Sequence, residues 1–586
     1  MAVRKKIGSF TFVLHSHLPY VLSHGRWPHG TDWLNEAAAE TYIPLLNVIG
    51  RLVDEGISPK MTIGITPVLT EQMKSPAFQE EFTAYLENKI AAARADSSEF
   101  RATRETSLLK VSRMWEEFYG GALDSFVSRY KRDIVKAFAD FQRKGHIEII
   151  TCGATHGYFP LLSRDESIQA QIKQAVASYR RNYGRKPRGI WLPECAYRPG
   201  YKWSPPVSAP GLEPYERKGV EEFLSENGIG YFIVDSHMLE GGRPIGVYLD
   251  RYEALERLWG QFEEGFAPRP LDPEKSPYDV YFVGAKTGRR PVAILTRDPK
   301  TGLQVWSGEH GYPGNSDYLD FHKKRFPGGL RYWSVTDIRA DLAEKKNYRP
   351  EAAGKFIPEQ AYHFKEMVKA ALSEHLKKKK TPGILTAPYD AELFGHWWFE
   401  GPEWLYHVIR NFAEDGEVEL TTGGEYVSAK KGGQLVALPE GSWGEGGFHY
   451  IWLNEWTAWT WKHVYEAETR MVSLSREFAG KGDEKLSDIL KQAARELLLL
   501  QSSDWQFLIS TWSARDYAEM RFTEHFSTFK RLADMAEKYG RKEKVAQGEW
   551  EFLGVTRERD DIFPDIEPGW WKPSPPDPLS PMASGK

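Results

Sequence analysis

The sequence predicts an α/β protein: a βα barrel of about seven strands, interrupted by one helical insertion and followed by a helical domain. Three observations predict it. Short apolar runs recur over residues 1–395, and each gives way to polar or ionisable residues. Helical stretches lie between many of them, the alternation that builds a parallel sheet. Beyond Glu403 the pattern turns helical.

The runs follow in order. SFTFVL leads into His15, Ser16 and His17, KMTIGI into Thr66, and HIEIITC into GATHGYF with His156. GIWL leads into Pro193 and Glu194, YFIV into Asp235 and His237, LQVW into Ser307 and Glu309, and GILTAPY into Asp390 and Glu392. Reactive-looking residues at the C-terminal ends of successive strands favour a barrel, whose active site is built at that face. An open doubly wound sheet would more often carry a glycine-rich phosphate turn after its first strand. HSHLPYV is not such a turn.

Between the runs, Ser167–Tyr183 and Gly219–Asn227 read as helices. Lys74–Tyr130 is rich in Glu, Lys, Ala and Arg at helical spacing and reads as the insertion. Gly241–Pro299 is irregular and long for a barrel connection. Apolar spacing makes Lys485–Leu500 and Asp516–Tyr539 helical, and a Pro/Ser-rich end is expected to be disordered. The expected division is therefore 1–73 with 131–400 for the barrel, 74–130 for the insertion, 401–563 for the helical domain and 564–586 for the tail.

Composition narrows the function classes. Net charge is −4 over 586 residues, with cations mostly matched by acids, which argues against a nucleic-acid groove. Two cysteines, Cys152 and Cys195, are too few for a disulfide framework or a cysteine zinc site and fit a reducing compartment. The apolar start is too short for a signal peptide, and no run approaches the roughly 20 residues of a membrane helix. A soluble cytoplasmic protein is expected. Twenty-one tryptophans are unusual. They read either as core or as platforms for the C–H faces of sugars.

Candidate chemistry gathers at three places. Glu194 in GIWLPECAY follows an apolar run and a turn-fixing proline, among Cys195, Ala196 and Tyr197. A carboxylate in such company is paired, protonated or used. In APYDAELFGHWWFEG, Asp390 and Glu392 precede His396, Trp397, Trp398 and Phe399. The acids read either as helix starters or as a source of one carboxylate facing Glu194 across a sugar pocket, with Trp398 as a subsite wall. His15 and His17 share one strand face. They read as zinc ligands with His156, His237 and Asp390, as sugar-hydroxyl partners, or as core residues. Trp306 falls at a predicted strand end. Trp443, in the glycine-rich SWGEGG, is expected to be exposed.

HSHLPY, GATHGYFPLL, WLPECAY, YDAELFGHWWFEG and NEWTAWTW occur in this order. Together they resemble glycoside hydrolase family 57, and within it the 1,4-α-glucan branching enzymes. That resemblance implies a (β/α)7 barrel, an inserted helical domain and a C-terminal helical domain. It implies Glu194 as nucleophile, Asp390 as general acid/base, and no metal or other cofactor. It puts His15, His17 and His156 at the donor sugar. It puts Arg297, Trp306, Gly314, Trp443, Trp452 and Asp504 at glucan contacts. The implied partner is an α-1,4-glucan, acted on by a monomer or small homo-oligomer with an α-amylase or 4-α-glucanotransferase as the nearest alternative. A loop tyrosine, Tyr248 or Tyr252, is expected to shield the intermediate from water.

Overall fold

The computed structural model describes residues 6–244, 252–262, 267–286, 290–309, 311–430 and 432–573. Strands β1 (Gly8–Ser16), β2 (Met61–Ile65), β3 (Ile147–Ile150) and β4 (Gly189–Ile190) come first. A short hairpin of β5 (Lys202–Trp203) and β6 (Tyr215–Glu216) follows, then β7 (Tyr231–Val234), β8 (Tyr281–Val283) and β9 (Val292–Thr296). β10 (Gly383–Asp390) and β11 (Val418–Leu420) complete the set.

All nine residues of β1 are buried. That is the fate of a continuous apolar strand covered on both faces. It pairs in parallel with β10, from Gly8 opposite Gly383 to His15 opposite Asp390. On its other side it pairs with β2, and β2 with β3. A second sheet runs β4, β7, β9, β8, with β8 antiparallel. Isolated parallel bridges join the two sheets, Thr151 to Ile190 and Arg297 to Thr386. In this register His15 and Asp390 lie side by side at the ends of neighbouring strands.

Six of the seven expected strands lie where the sequence put them. The sixth does not. Leu303–Trp306 is the end of a helix, Pro299–Trp306, and the strand is the buried VAILT of β9. The helix start was written in the chain. Pro299 takes the first helical position, where its missing N–H costs nothing, and the Asp298 side chain accepts from the Thr301 amide. Trp306 therefore ends a helix, not a strand.

Residues 74–130 hold the long helices Pro76–Ala102 and Thr106–Asp124. The expected helices at 167–183 and 219–227 are Asp165–Tyr183 and Val220–Glu226. Helix Gly401–Asp415 packs with the sheet: Trp404 meets Phe12 and Phe364, and β11 pairs with β1. The later helices thus begin after residue 401, with Ala458–Phe478, Glu484–Leu500, Asp504–Thr511, Arg515–Gly540 and Gln547–Arg559. Order also continues past residue 564. A 3-10 turn at Pro568–Trp571 buries the Trp571 ring completely, while 574–586 lie outside the described residues.

The helical segment is fastened to the sheet by buried charge. The Arg521 guanidinium donates to the Tyr20 carbonyl at 2.8 Å, just beyond β1. His24 bonds Asp560 at 2.6 Å, and Asp560 also takes the Arg559 guanidinium at 2.8 Å. Buried ions persist only when paired in this way. Among the described residues, no helix is long and apolar enough to cross a membrane.

Candidate active site

Glu194 sits in the turn that ends β4, with φ 59° and ψ 27°. Its neighbour Cys195 is also left-handed, and so is His156, which follows β3. Such backbone costs non-glycine residues about 1–3 kcal/mol each and gathers at functional sites. Here it turns Glu194 and His156 toward one another: His156 Nδ1 lies 3.7 Å from Glu194 Oε1.

Two donors hold the Glu194 carboxylate. Trp443 Nε1 donates to Oε2 at 2.9 Å, and the Ser503 hydroxyl lies 3.2 Å from Oε1. Burial pushes Glu194 up to about 7 against the pull of the Trp443 hydrogen bond, and the charges of Asp390 and Asp504 add to the rise. Asp390 ends β10, so a second carboxylate acts on the first. Glu392 is the other acid of that turn and is spent on structure. It accepts from the Tyr42 hydroxyl and from the His17 amide, and burial pushes it to about 7.

The histidines form a stack. His17 lies on His156 with ring centres 3.9 Å apart, and His15 lies on Trp191 at 4.8 Å. His17 Nε2 pairs with Asp504 Oδ2 at 2.8 Å, and its Nδ1 with the Thr66 hydroxyl at 3.2 Å. Burial would raise Asp504, but His17 outweighs it and holds the acid down at about 2. His15, Cys152 and His156, or His17, His156 and Asp504, bring donor atoms within 4.8 Å of one another. In the second group, the nitrogens and the acid are already hydrogen-bonded to protein atoms, so an ion there would have to displace them.

Trp443 is not exposed as expected. It is buried, because its amide bonds the Glu194 carbonyl and its indole N–H bonds the Glu194 side chain. The glycines around it permit close approach: a Cβ on Gly444 would lie 2.6 Å from the Trp452 ring. Trp306 meets Trp443 edge-on at 6.2 Å, and Trp452 stacks on Tyr158 at 4.4 Å behind that loop. Arg297 is buried, with Nη1 on Asp235 at 3.0 Å. That partner, rather than Glu194, takes its charge.

Trp398 and Gly314 lie apart from this cluster. Trp398 is 1% exposed and packs among Tyr312, Tyr318, Phe394 and Trp404. Its neighbour Trp397 is half-buried, with its ring 6.4 Å from Trp306. Gly314 is needed for space, since a Cβ there would strike the Gly308 carbonyl at 1.9 Å. Tyr248 lies outside the described residues. Tyr252 packs edge-on to Phe507 at 6.0 Å. Sequence reasoning missed Ser503, which reads as an ordinary residue ahead of a helix, and Trp191, which reads as strand core.

A carboxylate pair fenced by histidines and indoles defines the class, carbohydrate-active enzymes, and comparison with known proteins agrees. Residues 11–439 match glycosyl hydrolase family 57, and residues 463–571 match the C-terminal region of 1,4-alpha-glucan branching enzymes. The chain belongs to glycosyl hydrolase family 57. It is 40% identical to a 1,4-alpha-glucan branching enzyme of Thermococcus kodakarensis, over 96% of this chain and 78% of that one. A solved branching enzyme of Pyrococcus horikoshii superposes with a TM-score of 0.85 at 39% identity, covering 98% and 99% of the two chains. An alpha-amylase of Thermotoga maritima superposes at 0.77 with 28% identity, covering 97% and 99%.

Proposed function

We propose that this chain is a 1,4-α-glucan branching enzyme, cleaving α-1,4 links of a linear glucan and re-forming them as α-1,6 branches with net retention. One observation carries the reading. Ser503 and Asp504, from the segment that matches branching enzymes, reach into the carboxylate site at Glu194 and His17. Identity of 40% to the Thermococcus branching enzyme, against 28% to the amylase, supports the same choice.

In this reading Glu194 attacks the anomeric carbon while Asp390 protonates the departing oxygen. Asp390 then takes the proton of an incoming 6-hydroxyl, which displaces Glu194. Two neighbouring carboxylates repel and hold one proton between them over an intermediate pH range. Trp443 and Ser503 donate to Glu194 and so stabilise its anion, the form that attacks. His15, His17, His156 and Asp504 face the donor sugar, with Trp397 and Trp443 as aromatic walls and Trp306, itself 1% exposed, packed behind them. Water in place of the 6-hydroxyl gives hydrolysis, so the acceptor side separates branching enzyme from amylase.

The architecture that suits this chemistry is a (β/α)7 barrel. Parallel pairing from β1 through β2 and β3, and through β4, β7, β9 and β10, supports it, with the two bridges at the seams. Residues 74–130 are its insertion. A cytoplasmic setting fits the two free, buried cysteines.

Proton NMR of amylose incubated with the enzyme tests the function, integrating α-1,6 anomeric signals against new reducing ends. Many branches per reducing end are expected. Reducing ends without branches would make it an amylase.

A further inference from the structure

The strongest unexplained group in the site is a hydrogen-bonded chain that crosses three parts of the fold. It runs from His15, at the end of β1, to His156, after β3, to Ser503, ahead of the helix at 504, and on to Glu194. The distances are 3.0 Å from His15 Nε2 to His156 Nε2, 2.8 Å from His156 Nδ1 to Ser503 Oγ, and 3.2 Å from Ser503 Oγ to Glu194 Oε1. Ser503 is fully buried, and its amide also bonds the His156 carbonyl at 3.1 Å. Its hydroxyl has one proton and two claimants.

We propose that Ser503 is a positioning residue for the nucleophile: its hydroxyl proton goes to Glu194 Oε1, and the His15–His156 pair sets that direction. This rests on Glu194 being the nucleophile. The argument is proton accounting. Burial holds both imidazoles well below their ordinary range, with neighbouring imidazoles adding to the fall and Asp504 opposing it at His156, so each is neutral and carries one N–H. One of the two facing Nε2 atoms must donate and the other accept.

If His156 Nε2 donated, His15 would carry its proton on Nδ1. That atom is buried and has no hydrogen-bond partner among the described residues. A buried N–H without an acceptor is costly and rare. If His15 Nε2 donates instead, its bare Nδ1 is only an unused lone pair. His156 then carries its proton on Nδ1 and donates to Ser503 Oγ. The serine hydroxyl is left to donate to Glu194. The alternative would turn the serine toward His156 and leave Oε1 without its proton.

The consequence concerns which form of Glu194 is stabilised. A donor aimed at Oε1 favours the carboxylate and fixes its plane, with Trp443 holding Oε2. The charged and titratable groups around Glu194 among the described residues include Asp390 from β10, Asp504, His17, His156, Cys152, Cys195 and Tyr158. Ser503 donates to Oε1 at 3.2 Å, while His156 Nδ1 stands off at 3.7 Å.

The test compares wild type, Ser503→Ala and Ser503→Thr on α-maltosyl fluoride, whose leaving group needs little acid help, with kcat/KM measured from pH 4 to 9. Ser503→Ala is expected to move the acid limb to higher pH and to lower the rate at pH 6 about tenfold. Ser503→Thr, which keeps the hydroxyl, is expected to restore both. An acid limb unmoved in a Ser503→Ala protein that melts like wild type would overturn the proposal and turn the hydroxyl toward His156. Should the alanine variant not fold, Ser503→Cys serves in its place, because a thiol is a weak donor of similar size. Glu194→Gln runs alongside. Wild-type rates there would overturn the nucleophile itself, whereas a dead Glu194→Gln with an unmoved Ser503→Ala limb refutes only the serine.

Discussion

Replacing Trp443 by Phe keeps an aromatic wall and deletes a single hydrogen bond, Nε1–H to Glu194 Oε2 at 2.9 Å. A hydrogen bond to a charged group is worth about 1.5–3 kcal/mol. At 1.36 kcal/mol per unit, its loss raises the Glu194 pKa by about one to two units. The starting value is about 7, set by burial first and by the charges of Asp390 and Asp504 next, against the pull of Trp443 and His17. At pH 7 the ionised fraction then falls from about one half to between one in eleven and one in a hundred, a rate loss of about 5- to 50-fold. The sign is definite. Glu194 must be ionised to attack, so raising its pKa cuts the rate on the acid side and leaves the alkaline side able to recover. The assay is kcat/KM for fluoride release from α-maltosyl fluoride across pH. A loss of equal size at every pH would refute the reasoning and make Trp443 a sugar platform only.

Three further outcomes follow from the same geometry. Asp390→Asn removes the acid, so activity on amylose falls by about 10²–10⁴, while turnover of the fluoride donor, whose leaving group needs little acid help, falls far less. Glu392→Gln keeps an acceptor for Tyr42 and the His17 amide. It should lower stability by about 1 kcal/mol in urea melts and leave amylose turnover within about tenfold, which a second catalytic acid would not. Trp398→Ala should cost about 3–5 kcal/mol of stability as a core cavity, whereas Trp397→Ala should raise KM for amylose without changing the melting curve.

How much of this was legible depends on the range over which each feature is decided. β1 and β10 were plain because their burial is continuous and needs only the local apolar run. Glu194 was plain as a lone acid after a strand and a proline. The sixth strand is misplaced because a four-residue run with three apolar members suits a strand or a helix end equally, and only the Asp298–Pro299 start signal just upstream separates them. Trp443 went wrong for a different reason. Glycines were read as a mark of exposed loop, but Gly446 and Gly447 adopt φ of 68° and 71° so that the backbone can fold tightly beneath Trp443. Trp398 and Trp397 are adjacent in the chain and face opposite ways, which no composition argument resolves. Hardest of all was the protonation of the nucleophile. Its two donors come from 249 and 309 residues away, and the tautomer that aims one of them is set by a third segment at the start of the chain. The strands place the carboxylates, and local sequence reports strands well. The later segments supply the donors that hold the Glu194 anion, and a window of sequence around Glu194 holds nothing about them.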